Sequence, residues 1–363
     1  MTATLEAETV SAATTQIDGK SVPAPQAQKY SCGDPNEVFD ITIIGGGPVG
    51  LFGAFYAGMR GMRAKIMDSL EELGGQLATL YPEKYVFDMP GFPKVLARDL
   101  ANDLIAQAMR YSPAVCLGEL VLQLQHETDG TITITTQKGM HRTKTIVIAT
   151  GAGAFSPKKL VAPGLEDFEE RGVHYFVKDK SHFAGKRLLI VGGGDSALDW
   201  AMNLAEHADQ IILIHRRDVF KAHEESVDWL LNRSEVDTRL FHELLHVEGD
   251  DVVRRATIID NRTKEQKTIE VDSVLLNLGF NADLGPIKEW GVALDDRDIA
   301  VNQYMQTNLP GVYAAGDITA YPGKLKLIAT GVGEICTAVY HAKTVVDPST
   351  KFKQVHSSNM DIK

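Results

Sequence analysis

One short pattern occurs twice in this chain, and it constrains the fold more than anything else in the sequence. Gly45-x-Gly47-x-x-Gly50 follows the apolar run Phe39–Ile44 and leads into helical spacing over Leu51–Gly61. Gly192-x-Gly194-x-x-Ala197 follows Lys186–Val191 and leads into Leu198–Glu206. In each cassette the first glycine permits a tight turn, the second lets the backbone approach a pyrophosphate, and the third position lets helix and strand pack closely. The helix N-terminus then presents free N–H groups to phosphate. A chain built from two such units is α/β, with two Rossmann-type, three-layer dinucleotide-binding domains. Two dinucleotides in one chain imply electron exchange between them.

The strands that follow the cassettes end differently. Arg63–Met67 ends at Asp68, where a carboxylate accepts ribose hydroxyls. That acid suits FAD or NAD equally. Gln210–Ile214 ends instead at His215-Arg216-Arg217. Guanidinium groups fork onto a 2′-phosphate that a carboxylate would repel, so the second site is expected to take NADPH over NADH. Gly192, Gly194, Asp195, Ser196 and Ala197 form its phosphate turn, and Asp195-Ser196 is expected to cap the helix rather than supply a nucleophile. Gly45, Gly47, Pro48 and Gly50 form the first turn.

Charge and cysteine content exclude other classes. The formal net charge of −11 argues against nucleic acid as the main partner. Ile41–Met59 carries no charge, yet it holds six glycines and Pro48, which fits a glycine-rich turn better than a membrane span. Met1–Ala27 is rich in Ala, Thr, Ser and Gln and lacks the pattern of a secretory signal, so residues 1–36 are expected to be a flexible tail on a cytoplasmic protein. Cys32, Cys116 and Cys336 lie far apart, with no CxxC and no Cys/His cluster in the sequence. A zinc site or disulfide scaffold is not expected, and no metal is assigned.

Further motifs carry a family resemblance. Gly74-Gly75-Gln76-Leu77 and Gly311–Asp317 resemble the flavin-binding segments of the two-dinucleotide flavoproteins, and the ordered chain from about Val38 resembles a thioredoxin reductase. In that family a CxxC follows a GVxY-type segment. Here Gly172-Val173-His174-Tyr175 is followed by Phe176-Val177-Lys178-Asp179, so the redox dithiol is missing. Leu80–Tyr85, Gly91–Lys94, Gly153–Pro157, Gly192–Trp200, Tyr321–Lys324 and the tail Val355–Ser358 are similar to the thioredoxin-reductase-like ferredoxin–NADP⁺ reductases of bacteria. The resemblance implies FAD, NADPH, a homodimer and a one-electron carrier such as ferredoxin or flavodoxin.

Site roles follow from the same resemblance. Asp317 would hold the ribityl chain, Gln76 and Phe155 would lie by the isoalloxazine, Tyr81 beside the flavin, and Val121 against adenine. His356 would stack on the flavin from the tail, with Ser357 and Ser358 at its edge. No side chain is expected to act as acid or base. Hydride would pass from NADPH to flavin N5, and single electrons would then pass to the carrier. The FAD domain is expected to be discontinuous, 37–150 with 278–363, and the NADPH domain to span 151–277, with a hinge near Gly151 and Gly279. Lys158, Lys159, Lys324 and Lys326 are candidate docking cations for an acidic carrier. The alternatives are another NADPH-dependent flavin reductase or diaphorase without its own disulfide, or a non-catalytic NADPH-sensing flavoprotein.

Overall fold

The computed structural model describes residues 14–17, 20–23, 30–34, 36–151 and 153–350. The side chains of residues 14–17, 20–23, 154–156 and 280–282 are left out of the description. His356, Ser357 and Ser358 lie outside the described residues.

The strand Val38–Ile44 is central to the first sheet, and its apolar run is buried almost throughout, as a parallel strand covered on both faces must be. It pairs in parallel with Ala64–Met67 on one side and with Met140–Ile148 on the other. Ala64–Met67 pairs in turn with Ala114–Cys116. The long strand Met140–Ile148 divides its edges. Its first half runs antiparallel to Ile132–Thr136, which leads to Val121–His126, and its second half takes Val312–Ala314 in parallel. Residues far apart in sequence thereby complete one seven-stranded sheet.

The helix Pro48–Met59 begins with proline, which suits a first turn because it needs no N–H there. Its small residues let the helix Ile328–Val346 approach closely: a Cβ on Gly53 would lie 2.5 Å from the Ile335 side chain. Gly50 is needed for packing in the same way, since a Cβ there would sit 1.9 Å from the Gly45 carbonyl oxygen.

The second unit is a five-stranded parallel sheet. Its order is Val173–His174, Ser273–Asn277, Arg187–Gly192, Gln210–His215 and Asp237–Leu240. An antiparallel layer of His242–Gly249, Val253–Asp260 and Gln266–Glu270 covers it. The helix Asp195–Leu204 packs its Leu198, Trp200 and Leu204 into the core. The two stretches joining the halves pair with each other: Ala154–Pro157 runs antiparallel to Phe280–Asp283, and the Lys158 N–H donates to the Gly279 carbonyl at 2.9 Å. A second link is the Lys84 ammonium, 2.9 Å from the Asp199 carboxylate.

Four features differ from the sequence reading. The sequence pattern reads Val252–Ile259 and Thr268–Leu276 as a further β unit, but Gln266–Glu270 belongs to the antiparallel layer and Ser273–Asn277 to the parallel sheet. The Asp272 carboxylate accepts the Arg187 backbone N–H and its guanidinium, which turns the chain into register beside Leu188. The helices Ala97–Met109 and Glu224–Asn232 and the strands Asp237–Leu240 and His242–Gly249 were not expected. The stretch expected to be tail contains a short hairpin, Thr14–Ile17 with Lys20–Pro23, and Tyr30 packs against the first core. Finally, Cys32 and Cys116 form a disulfide across a sequence separation of 84. Chain folding brings the two cysteines together, and local spacing carries no sign of it.

Candidate active site

A cleft opens where the first sheet's strands end, the location at which open α/β sheets bind ligands. Gly45, Gly47 and Pro48 line its floor, and Asp68, Gln76, Tyr81, Val121 and Asp317 line its walls. The Asp68 carboxylate accepts the Gly46 N–H at 2.5 Å and the Leu70 N–H at 2.8 Å, which locks it against the glycine turn. Burial pushes its pKa up, opposed by the N–H donors of Leu70, Gly46 and Ser69. Burial also pushes Asp317 up, opposed by Lys324 and Lys326. The Tyr81 phenol is pushed up to about 12 by burial and by the charges of Asp317 and Asp88, so it stays a donor.

The cleft fits an extended cofactor. The Thr79 and Thr150 hydroxyls are buried on its lining with no partner. At Gly47 an added Cβ would find nothing nearer than 3.9 Å, so that turn faces open space. Sequence reasoning missed Thr79, Glu119, Thr150 and Trp290, which also line the cleft. Trp290 comes from the returning segment, where its indole N–H donates to the Leu122 carbonyl at 3.0 Å. The GGQL and GVYAAGD signals mark neighbouring positions but not these.

The second cassette is built differently. Gly194 precedes the helix Asp195–Leu204, and Asp195 does not cap it. Its carboxylate accepts the His223 N–H at 2.9 Å, and the Lys221 N–H donates to the Gly193 carbonyl at 2.7 Å, so the loop 216–223 is tied to the glycine turn. His215 does not face outward as a cation. Its ring stacks on Phe220 at 5.2 Å and covers Gly193, where a Cβ would lie 2.2 Å away. Burial holds its pKa below the usual histidine range. Arg216, Arg217 and Lys221 are exposed beside the turn. The buried Asn277 Oδ1, unpartnered at the end of the strand beside Gly192, points to a ligand there as well. The side chain of Phe155 lies outside the described residues.

Three of the four docking lysines are paired with carboxylates rather than free. Lys324 is buried against Glu334, 2.5 Å away, with the two side chains 8% and 5% exposed. Lys326 is half exposed but paired with Asp298 at 2.7 Å. Lys159 pairs with Glu169 at 2.6 Å, and Lys158 is exposed. Among the described residues no helix is long and apolar enough to cross a membrane.

Two sheets, two glycine turns and a returning segment form one arrangement. The model of the pyridine nucleotide-disulphide oxidoreductase family matches residues 39–342. The chain belongs to that family. It is 48% identical over 328 residues to ferredoxin–NADP reductase 2 of Shouchella clausii, covering 90% of this chain and 99% of the relative. It is 50% identical over 325 residues to ferredoxin–NADP reductase of Halalkalibacterium halodurans, covering 89% and 98%. Among solved structures it is similar to the thioredoxin reductase of T. acidophilum, with a TM-score of 0.71 and 28% identity over 86% of this chain and 98% of that one. The fold is thioredoxin-reductase-like, and FAD and NADPH are the cofactors of this flavin-dependent oxidoreductase.

Proposed function

We propose that the chain transfers electrons between NADPH and a ferredoxin-type one-electron carrier. The observation that carries this reading is the missing dithiol: Phe176 and Asp179 stand where a disulfide-reducing relative needs cysteines. The Cys32–Cys116 disulfide does not replace it, because Cys116 ends the edge strand Ala114–Cys116, beside Asp68, which in this reading takes the ribose rather than the flavin ring. The names of the curated relatives support the same carrier class.

In this reading residues 37–150 with 278–363 hold FAD, residues 151–277 hold NADPH, and the paired crossings between them are the hinge. FAD, when bound, accepts hydride and releases electrons singly. The turn through Gly45, Gly47 and Pro48 and the start of the helix Pro48–Met59 hold its pyrophosphate, Asp68 takes ribose hydroxyls, Val121 meets adenine and Asp317 meets the ribityl chain. Gln76, Phe155 and Tyr81 lie by the ring, and Tyr81 keeps its proton there. His356, Ser357 and Ser358 supply the tail cover in a homodimer. Arg216 and Arg217, with Lys221 added and His215 reduced to a packing platform, take the 2′-phosphate. No side chain needs to move a proton.

Steady-state NADPH oxidation with ferredoxin, flavodoxin, thioredoxin and a dye, run side by side, tests the reading. Rapid turnover with ferredoxin or flavodoxin supports it. Fast reduction of thioredoxin, or turnover with the dye alone, refutes it.

A further inference from the structure

The first sheet holds a buried cluster that the proposed reaction does not use. Lys65, fully buried on Ala64–Met67, places its Nζ 3.0 Å from His141 Nδ1 and 4.3 Å from the Phe39 ring centroid. An ammonium only donates, so His141 accepts at Nδ1, and its Nε2–H donates to Glu119 Oε1 at 2.7 Å. Thr136 donates to the same oxygen at 2.6 Å. The other carboxylate oxygen lies 3.9 Å from the Cys32 sulfur. Cys32, Cys116, Glu119 and His141 are the group of described residues able to bring four metal-ligating atoms together. Here the two sulfurs are bonded to each other instead.

This cluster adjoins the cofactor cleft through the backbone. The Asp68 N–H donates to the Cys116 carbonyl at 2.9 Å, and the Glu119 N–H donates to the Asp68 carbonyl at 2.8 Å. Glu119 itself lines the cleft. On the other side, the Val115 N–H donates to the Ser31 carbonyl at 2.8 Å, so the segment around Cys32 lies along the same edge strand. The disulfide therefore clasps a segment from outside the sheet onto the residues that position Asp68.

We propose that Cys32 and Cys116 are a reversible thiol–disulfide site whose oxidation tightens the adenosine end of the FAD cleft. This deepens the FAD reading above and rests on it. The reductant is a dithiol. Its thiolate attacks the half-buried Cys32 sulfur, since Cys116 is only 2% exposed. The S–S bond breaks, Cys116 leaves and takes a proton, and a mixed disulfide forms on Cys32. The second thiol of the reductant displaces Cys32, which also takes a proton, and leaves as the cyclic disulfide. Two electrons thus move from the dithiol to the cysteine pair. The reverse step gives two electrons and two protons to a peroxide, releasing water. In the reduced state Glu119 Oε2 is placed to accept the Cys32 thiol hydrogen.

Two readouts on the full-length FAD-loaded protein test the proposal. Peroxide-treated protein, denatured and alkylated, should carry one label, at Cys336, and three after dithiothreitol. FAD release, followed by flavin fluorescence on dilution, should be about tenfold faster in dithiothreitol than after peroxide. Cys32→Ser should release FAD at the fast rate under both conditions, and Cys336→Ser should behave as the parent. Three labels after peroxide, or one zinc taken up per reduced chain with both thiols masked, would overturn the site. FAD release that is equal in both states would overturn the coupling alone. A chain that retains no FAD in either state fails the flavin reading itself, while the label count still decides whether the pair forms.

Discussion

Replacing Lys324 with Met separates a structural lysine from a docking lysine. Glu334 is buried, and it accepts the Gly316 N–H at 2.7 Å, the Tyr321 hydroxyl at 2.5 Å and the Lys324 ammonium at 2.5 Å, with the Thr319 hydroxyl at 3.5 Å. Removing the ammonium leaves a buried carboxylate without its counter-charge, which costs about 3 to 5 kcal/mol. The Gly316 N–H and the Tyr321 hydroxyl remain and offset part of that, so a loss of about 3 kcal/mol is expected. For a chain of this size the melting temperature should fall by roughly 4 °C, measured by circular dichroism with FAD in excess. The double substitution Lys324→Met/Glu334→Gln should recover much of the loss, because a neutral pair leaves no unpaired charge. Gly316 lines the cleft, so FAD should also be held less tightly in the single variant. An unchanged melting temperature, with a salt-dependent loss confined to ferredoxin reduction, would refute the buried-pair reasoning and restore Lys324 to a docking surface.

Three further outcomes are expected. Gly47→Ala should fold within about 1 kcal/mol of the parent, since the added Cβ has free space and the position has φ −77°, yet lose FAD. Gly50→Ala, whose Cβ would strike the Gly45 carbonyl, should lose stability itself; absorbance and melting together separate the two. Arg216→Ala/Arg217→Ala should raise KM for NADPH about 10- to 100-fold and leave that for NADH nearly unchanged, and an equal rise for both would remove these arginines from the 2′-phosphate. Burial holds His174 down to about 4, with His182 adding to the effect. The unfolded chain therefore binds this proton first, near pH 6.5, and stability falls as pH drops from there toward 4, by up to about 3 kcal/mol. Urea denaturation across that range should show a shallower slope for His174→Asn.

The parts of the molecule legible in sequence are those whose physics is local. A glycine turn between an apolar strand and a helix carries its signal within a dozen residues, so both cassettes and the acid at Asp68 could be located. The arginines after Gln210–His215 were legible for the same reason, but His215 was not. Its stacking on Phe220 turns a titratable ring into a packing surface. Lys324 resembles any loop lysine until the helix Ile328–Val346 brings Glu334 over it. Trp290 and the Cys32–Cys116–Glu119–His141 cluster depend on contacts between distant segments, and no spacing in the sequence encodes them. Between the strands Gln266–Glu270 and Ser273–Asn277, which join different sheets, Asp272 meets Arg187 far upstream, a contact no local pattern announces.

The ribbon formed by Ala154–Pro157 and Phe280–Asp283 has a topological consequence. A stretch of more than a hundred residues leaves and re-enters its host at adjacent points. It can be excised, exchanged for a relative's version, or shortened without stretching the sheet that carries it. The same adjacency couples the two covalent tethers, so a rotation of the inserted body would turn about a single stalk rather than two independent strings.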